Sequence, residues 1–491
     1  MARVKVARRR APIPAGLPRV VESPFSLFRF PLLALEFPPP HASRTPSHYR
    51  RCCRRHERRD SRSSCPLRSG NHRSRKGADV SYGACGLPFY ISGEVAAADD
   101  LVVYDAAYFQ EKRGIQVLLH HEAVEIEPGR RLVHALREKS QAVALPYDKL
   151  IIATGGAPAA QLPGADLTGI FNCATLADAV RLRRLLDEKG PRRAVVVGSG
   201  YIGLEVADAL AKRGLKVSLL GRSPHLLEGF APEISTRAEE ALAAHSIRAI
   251  KSTSALSISS ASVTNELHVH HSAGSETAEL VVLAMGIKPL VALAESAGVR
   301  LGSTGAIGVD NRMQTNAIGI YAAGDCVETR NLVSGRPVYF PLGTTANKQG
   351  RTAGENAAGG HATFEGIVGT LVTKIFGLEI ARTGLTVEEA RTAGFQADSV
   401  AIETRSHAKY LGGHPLLAVL VWDRSSGRLL GFQAASKQGA AKRIDAAAVA
   451  LHARMLVADL PNLDLSYAPP FAGVWEALLI AAKEALNKSR H

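Results

Sequence analysis

The chain has 491 residues, 46% of them hydrophobic and 21% charged, with six cysteines. That is material for two to four cored domains, and it excludes a small module stapled by disulfides. The net charge of +15 suggests nucleic acid or an acidic membrane as partner, but residues 1–80 hold 19 Lys and Arg against 5 Asp and Glu, and the rest of the chain is balanced at +1, so neither partner is expected.

The N-terminal arm offers no folded element. Its most apolar stretch, Pro24 to Phe37, is short and broken by Arg29, Pro31 and Glu36, so it neither spans a membrane nor forms a clean signal peptide. HYRRCCRRHERRDSRSSCPLRSGNHRSRKG, from His48 to Gly77, has no apolar period of either kind. Residues 1–78 are therefore expected to be irregular. Cys52, Cys53 and Cys65 lie inside this arm, and six cysteines so placed suit a reducing cytoplasm better than an oxidising compartment.

Next comes VSYGACGLPFYISG, Val80 to Gly93. Cys85, followed by Gly86 and Pro88, suits the start of a short helix, where free N–H groups and the helix dipole favour a thiolate. The competing reading is an inert buried cysteine. LIIATGG, Leu150 to Gly156, reads as a buried strand and turn. RRAVVVGSGYIGLEVADALAKRGLKVSLL, Arg192 to Leu220, places Gly198, Gly200 and Gly203 between an apolar strand and a helix, with a second apolar strand following. This is the dinucleotide fingerprint in its proper context. An acid that would grip a ribose 2′-hydroxyl is expected after that second strand. The sequence has Gly221 and Arg222 there, which favours NADPH over NADH; a solvated loop arginine is the alternative.

LAMGIKP (Leu283 to Pro289) and TNAIGIYAAGDCVE (Thr315 to Glu328) are again strand and turn patterns. PLGTTANKQGRTAGEN (Pro341 to Asn356), GTLVTKIFGLEIARTGLT (Gly369 to Thr386) and KRIDAAAVALHARMLVADLPNLDLSYAPPF (Lys442 to Phe471) follow.

Over residues 79–487 these segments, in this order, resemble the single-cysteine branch of the pyridine nucleotide-disulfide oxidoreductases: coenzyme A-disulfide reductases, NADH oxidases and NADH peroxidases. No rhodanese-like extension is expected after Leu486. The resemblance implies an α/β fold with two Rossmann-like dinucleotide-binding domains, for FAD and NAD(P), and an α+β C-terminal dimerisation domain. The expected divisions are a basic arm at 1–78, an FAD domain at 79–159 and 285–355, an NAD(P) domain at 160–284 and a dimerisation domain at 356–491. It implies an enzyme and a homodimer, with Cys85 as redox thiol. Thr154, Gly155, Gly324, Asp325 and Ala346 would lie on FAD, with Asp325 taking the ribityl hydroxyls. Gly198, Gly200, Gly203 and Arg222 would lie on NADPH or NADH. Tyr410 and Tyr467, with His407 near the first, would be lent to a partner's active site. No metal is implied.

Gly86 to Gly93 contains no second cysteine, so the disulfide partner must come from a small-molecule disulfide or persulfide, with coenzyme A disulfide as first choice. An NAD(P)H oxidase or peroxidase cycling Cys85 through a sulfenic acid is the alternative. A reading of another class is a non-catalytic NADP-binding remnant.

The resemblance also requires a strand, a glycine turn for the FAD pyrophosphate, a helix and an acid-ended strand before Cys85. Residues 1–78 spell none of these. Moving the frame forward one base, with GC-rich third positions, turns Tyr49 to Asp60 into IGGVAAGMSAAT and Ser69 to Lys76 into AEIIVLEK or close to it. Residues up to about Lys76 thus read as an out-of-frame stretch. An Arg- and Ser-rich transit peptide, the rival explanation, would precede a flavin loop rather than replace it. As printed, the chain is expected to leave the strands around Leu150 to Ala153 and Ile320 to Ala323 partly uncovered.

Overall fold

The run Ala194 to Val197 is apolar at every position, the pattern of a strand covered on both faces. In the computed structural model, which describes residues 71–75 (backbone alone), 79–261 and 266–490, this run lies at the centre of a parallel sheet. The strand order is Ile170–Asn172, Leu280–Leu283, Arg193–Val197, Lys216–Leu220, Arg248–Ile250. Val195 and Val197 pack with Ile258 and Val269 of an antiparallel meander, Ala255–Ser260, Leu267–His271 and Gly274–Ala278. Ala194 and Val196 pack on the other face with Leu204 and Leu210 of helix Tyr201–Lys212 and Leu242 of helix Pro232–Ala244. The alternation of a strand thus assigns each valine to its layer.

The other α/β unit repeats this plan. Strand Ile115–Leu119 leads into a meander, His121–Glu127, Leu132–Arg137 and Gln141–Pro146, and then into Leu150–Ile152, which pairs in parallel with Ile320–Ala322. In the nucleotide unit the corresponding pieces are Arg248–Ile250, the meander, Leu280–Leu283 and Ile170–Asn172.

Asn71–Arg75 pairs in parallel with Ile115–Leu119, as Lys216–Leu220 pairs with Arg248–Ile250. This corrects the expectation that the arm holds no regular element. The ladder is made of backbone bonds and needs no apolar side chain from the arm. Residues 1–70 and 76–78 lie outside the described residues. Among the described residues no strand joins Asn71–Arg75 to Leu150–Ile152, the place that Arg193–Val197 holds in the nucleotide unit.

A second expectation is also corrected: Leu150 to Ala153 and Ile320 to Ala323 are buried, none more than 5% exposed. Leu150 and Ile152 pack with Ile126, Val133 and Val299, while Ile151 and Ala323 pack with Ala353 and Ala357 of helix Gly343–Ala357. Elements far along the chain cover both faces, and each fully buried Leu or Ile contributes about 1.5–3 kcal/mol.

The C-terminal unit is a five-stranded antiparallel sheet ordered Leu371–Ile375, Leu378–Gly384, Leu429–Ser436, Pro415–Asp423, Ala397–Arg405. Helices Ala440–His452 and Ala477–Ser489 close over Trp422 and Phe432, which are 2% and 0% exposed.

Candidate active site

Two close approaches and one open glycine build the loop after Val197. Gly198 has φ +119°, and a Cβ there would meet Ala284 O at 2.2 Å. A Cβ at Gly203 would meet Gly198 O at 1.8 Å, so the helix can approach the loop only without a side chain. Gly200 caps helix Tyr201–Lys212 with no side-chain bond, and a Cβ there would meet nothing within 4 Å. The open side of Gly200 and the helix N-terminus face a cavity of about 550 Å³. Its wall includes Gly198, Leu220, Arg222, Ser223, Glu228 and Ser254. Arg222 Nη2 lies 3.8 Å from Glu228 Oε2, and both side chains are mostly exposed. A helix N-terminus on an open glycine suits a pyrophosphate, and a guanidinium suits a 2′-phosphate.

Cys85 lies in the single turn Ala84–Gly86, directly before helix Leu87–Ser92, whose cap Gly86 makes no side-chain bond and whose first turn holds Pro88. It is exposed and in no disulfide, which removes the inert buried reading. Cys326 is the contrast: it is fully buried, and burial pushes its thiol above the ordinary range.

The two chain crossings lie side by side, Gly156–Pro158 antiparallel to Ile287–Pro289. Thr154 Oγ1 donates to Leu290 O at 2.5 Å, and Leu290 N donates to Gly155 O at 3.0 Å. Gly324 has φ +88°, its N–H donates to Gln349 Oε1 at 3.0 Å, and a Cβ there would lie 3.9 Å from Ala346 Cβ. The Asp325 side chain is 6% exposed, and its carbonyl accepts from Tyr339 Oη at 2.9 Å. Beside it Gln349, 1% exposed, has an Nε2 with no partner among the described residues. A buried carboxylate and an orphaned amide donor next to a strand-end glycine suit a polyhydroxyl ligand.

Tyr410 and Tyr467 are 78% and 52% exposed on the C-terminal unit. Their segments are tied together: Ala408 N donates to Pro469 O at 3.1 Å, and Arg443 Nη2 donates to the carbonyls of Ser406 and Phe471. Between these segments lies a cavity of about 360 Å³ lined by His407, Arg443, Ser466, Phe471 and Glu476.

The family scan matches residues 70–350 to the pyridine nucleotide-disulphide oxidoreductase model and residues 371–478 to the dimerisation domain of that family. The chain belongs to the pyridine nucleotide-disulphide oxidoreductase family. It is an oxidoreductase of a family that uses FAD and NAD(P)H. It is 38% identical over 410 residues to the NAD(P)H sulfur oxidoreductase (CoA-dependent) of Pyrococcus furiosus, covering 82% of this chain and 90% of that protein. It is 29% identical over 400 residues to the coenzyme A disulfide reductase of Staphylococcus haemolyticus, covering 81% and 89%. Its fold matches a NAD-dependent persulfide reductase from A. fulgidus with TM-score 0.82 at 35% identity, covering 85% of this chain and 79% of that one. Among the described residues no helix is long and apolar enough to cross a membrane.

The cavity beside Gly200 fits the nicotinamide nucleotide. Gly324, Asp325 and Gln349 fit the sugar and ring end of FAD. Gln349 and Glu228 were not singled out from the sequence, because nothing local marks a glutamine on a helix or a glutamate in a loop as facing a ligand.

Glu205 was also missed. It lies on helix Tyr201–Lys212, where its Oε1 accepts from Thr373 Oγ1 at 2.6 Å. Burial pushes its carboxyl up to about 7, against the lowering effect of the Thr373 bond, with Asp208 and Lys212 on the same helix and Lys374 across a small cleft. The folded protein therefore keeps a proton that the unfolded chain releases, so stability falls as pH rises from the ordinary carboxylate range to about 7. Glu205→Gln is expected to flatten this slope and to add roughly 2–4 kcal/mol of stability at about pH 8. Denaturant unfolding of both proteins at about pH 5 and about pH 8 checks it, and parallel slopes contradict it.

Proposed function

We propose that this chain reduces a small disulfide or persulfide, coenzyme A disulfide first, with NADPH through FAD and the single thiol of Cys85. The carrying observation is Cys85 itself, exposed at the head of helix Leu87–Ser92 with no second cysteine through Gly93. The Cys85 thiolate attacks one substrate sulfur, forming a mixed disulfide and releasing the first thiol. Two electrons and a proton originating from NADPH and solvent then cleave that bond, releasing the second thiol and restoring the thiolate, so one disulfide yields two thiols and one NADP⁺. FAD, when bound, carries the electron pair from nicotinamide to sulfur.

Gly198, Gly200 and Gly203 would cradle the nucleotide pyrophosphate and Arg222 the 2′-phosphate. Thr154, Gly155, Gly324, Asp325 and Ala346 would hold FAD. Tyr410 and Tyr467 would serve the active site of a second copy in a homodimer working in the reducing cytoplasm. The corresponding domains are FAD at 79–159 and 285–355, NAD(P) at 160–284 and dimerisation at 356–491. Turnover tests this reading: NADPH oxidation by the flavin-loaded chain should depend on added coenzyme A disulfide or persulfide. Oxidation driven by oxygen alone would favour the sulfenic acid cycle instead.

The preference for NADPH has its own check. Losing a charge-assisted phosphate contact in Arg222→Ala is expected to cost about 1.5–3 kcal/mol of the NADPH over NADH ratio in kcat/KM. A wild-type enzyme that prefers NADH rules the assignment out.

We also read residues up to about Lys76 as out of frame. Supporting this, Asn71–Arg75 stands at the sheet position equivalent to Lys216–Leu220, and the shifted text AEIIVLEK supplies an acid-ended strand there.

A further inference from the structure

Gly221 stands where a nucleotide domain places the acid that grips ribose hydroxyls. Its φ is not in the left-handed region, so backbone conformation does not require glycine there. Space does. A Cβ at position 221 would lie 2.5 Å from Ser199 Oγ and 2.8 Å from Ser199 Cβ. Rotating Ser199 moves the hydroxyl, but the contact with Cβ persists in every rotamer.

Neither backbone is free to retreat. Gly221 N donates to Ile250 O at 2.8 Å and Thr253 N donates to Gly221 O at 2.9 Å. On the loop side, Leu227 N donates to Ser199 O at 2.9 Å and Gly198 N to Leu220 O at 2.8 Å. Buried donors and acceptors so paired are costly to separate.

We infer that Ser199, between the first two glycines of the loop, is a specificity-determining residue for the nucleotide. By filling the volume that any side chain at 221 needs, it bars a carboxylate from the ribose edge and leaves that edge to Arg222 and Ser223. This rests on reading the cavity beside Gly200 as the nucleotide site. Ser199 acts through position 221, so its effect is a coupling between the two positions.

The experiment measures NADP⁺ and NAD⁺ binding by calorimetry to the full chain as wild type, Gly221→Asp, Ser199→Gly and the double variant, with the thermal midpoint of each. Gly221→Asp alone is expected to weaken both nucleotides by about tenfold or more, because an overpacked loop must shift. Ser199→Gly alone should change the NADP⁺ to NAD⁺ ratio less than about threefold. Adding Ser199→Gly to Gly221→Asp should recover NAD⁺ binding by about tenfold, leave NADP⁺ weak, and bring the midpoint back toward wild type. Additive effects, or a switch to NAD⁺ by Gly221→Asp alone, overturn the inference. Wild-type protein that binds neither nucleotide would instead overturn the assignment of the cavity.

Discussion

Cys85→Ser is expected to lower disulfide or persulfide turnover by at least about a thousandfold, because a serine hydroxyl is not ionised near neutral pH and cannot form the mixed disulfide. Oxidation of a single equivalent of NADPH by the flavin-loaded protein should persist, since that half of the cycle needs no sulfur. The split between the two readouts separates a lost nucleophile from a damaged fold. The other described cysteines cannot substitute: Cys326 is buried within the core of the flavin unit, and Cys173 is half-buried beside the nucleotide core. Full turnover in the variant would falsify the assignment of Cys85.

Restoring the reading frame by one base upstream of Gly77 is expected to convert a protein that loses flavin on purification into a yellow dimer. The change supplies a glycine turn and rewrites the Asn71–Arg75 strand as an acid-ended one, beside Ile115–Leu119, while Leu150–Ile152 and Ile320–Ala322 form a separate pair. Absorbance near about 450 nm per chain should rise from near zero to that of one flavin, the cofactor contributing the colour. A bound cofactor also adds its binding energy to folding, so the restored protein should melt higher by several degrees. Determining the DNA between the codons of Pro40 and Val80 decides the origin. Tight FAD binding by the chain as printed refutes the frame reading.

The sequence was readable where chemistry is local. Gly203 answers a steric need within one turn, its approach to Gly198 O, and Gly200 leaves the helix N-terminus open, so the fingerprint is legible from neighbours in sequence. Cys85, Gly86 and Pro88 likewise announce a helix start within four residues. What escaped was non-local. Strand Asn71–Arg75 owes its existence to the backbone of Ile115–Leu119, so no pattern in its own side chains could reveal it. The cover on Ile151 comes from Ala353 and Ala357, and that on Leu150 and Ile152 in part from Val299, all far along the chain. Gly221 looks from sequence like a missing acid, and only the contact with Ser199 explains why no side chain fits. Glu205 meets Thr373 across a domain junction that no spacing rule reaches.

The central claim is that Cys85 exchanges with the substrate's own disulfide. Its most direct measurement is mass spectrometry of the peptide containing Cys85 after incubation of the frame-restored, flavin-loaded chain with coenzyme A disulfide, before and after NADPH. One coenzyme A half is expected bound to Cys85 through a disulfide, and it should be lost with release of the free thiol when NADPH is added. An unmodified Cys85 throughout, while NADPH-dependent reduction of the disulfide proceeds, contradicts it.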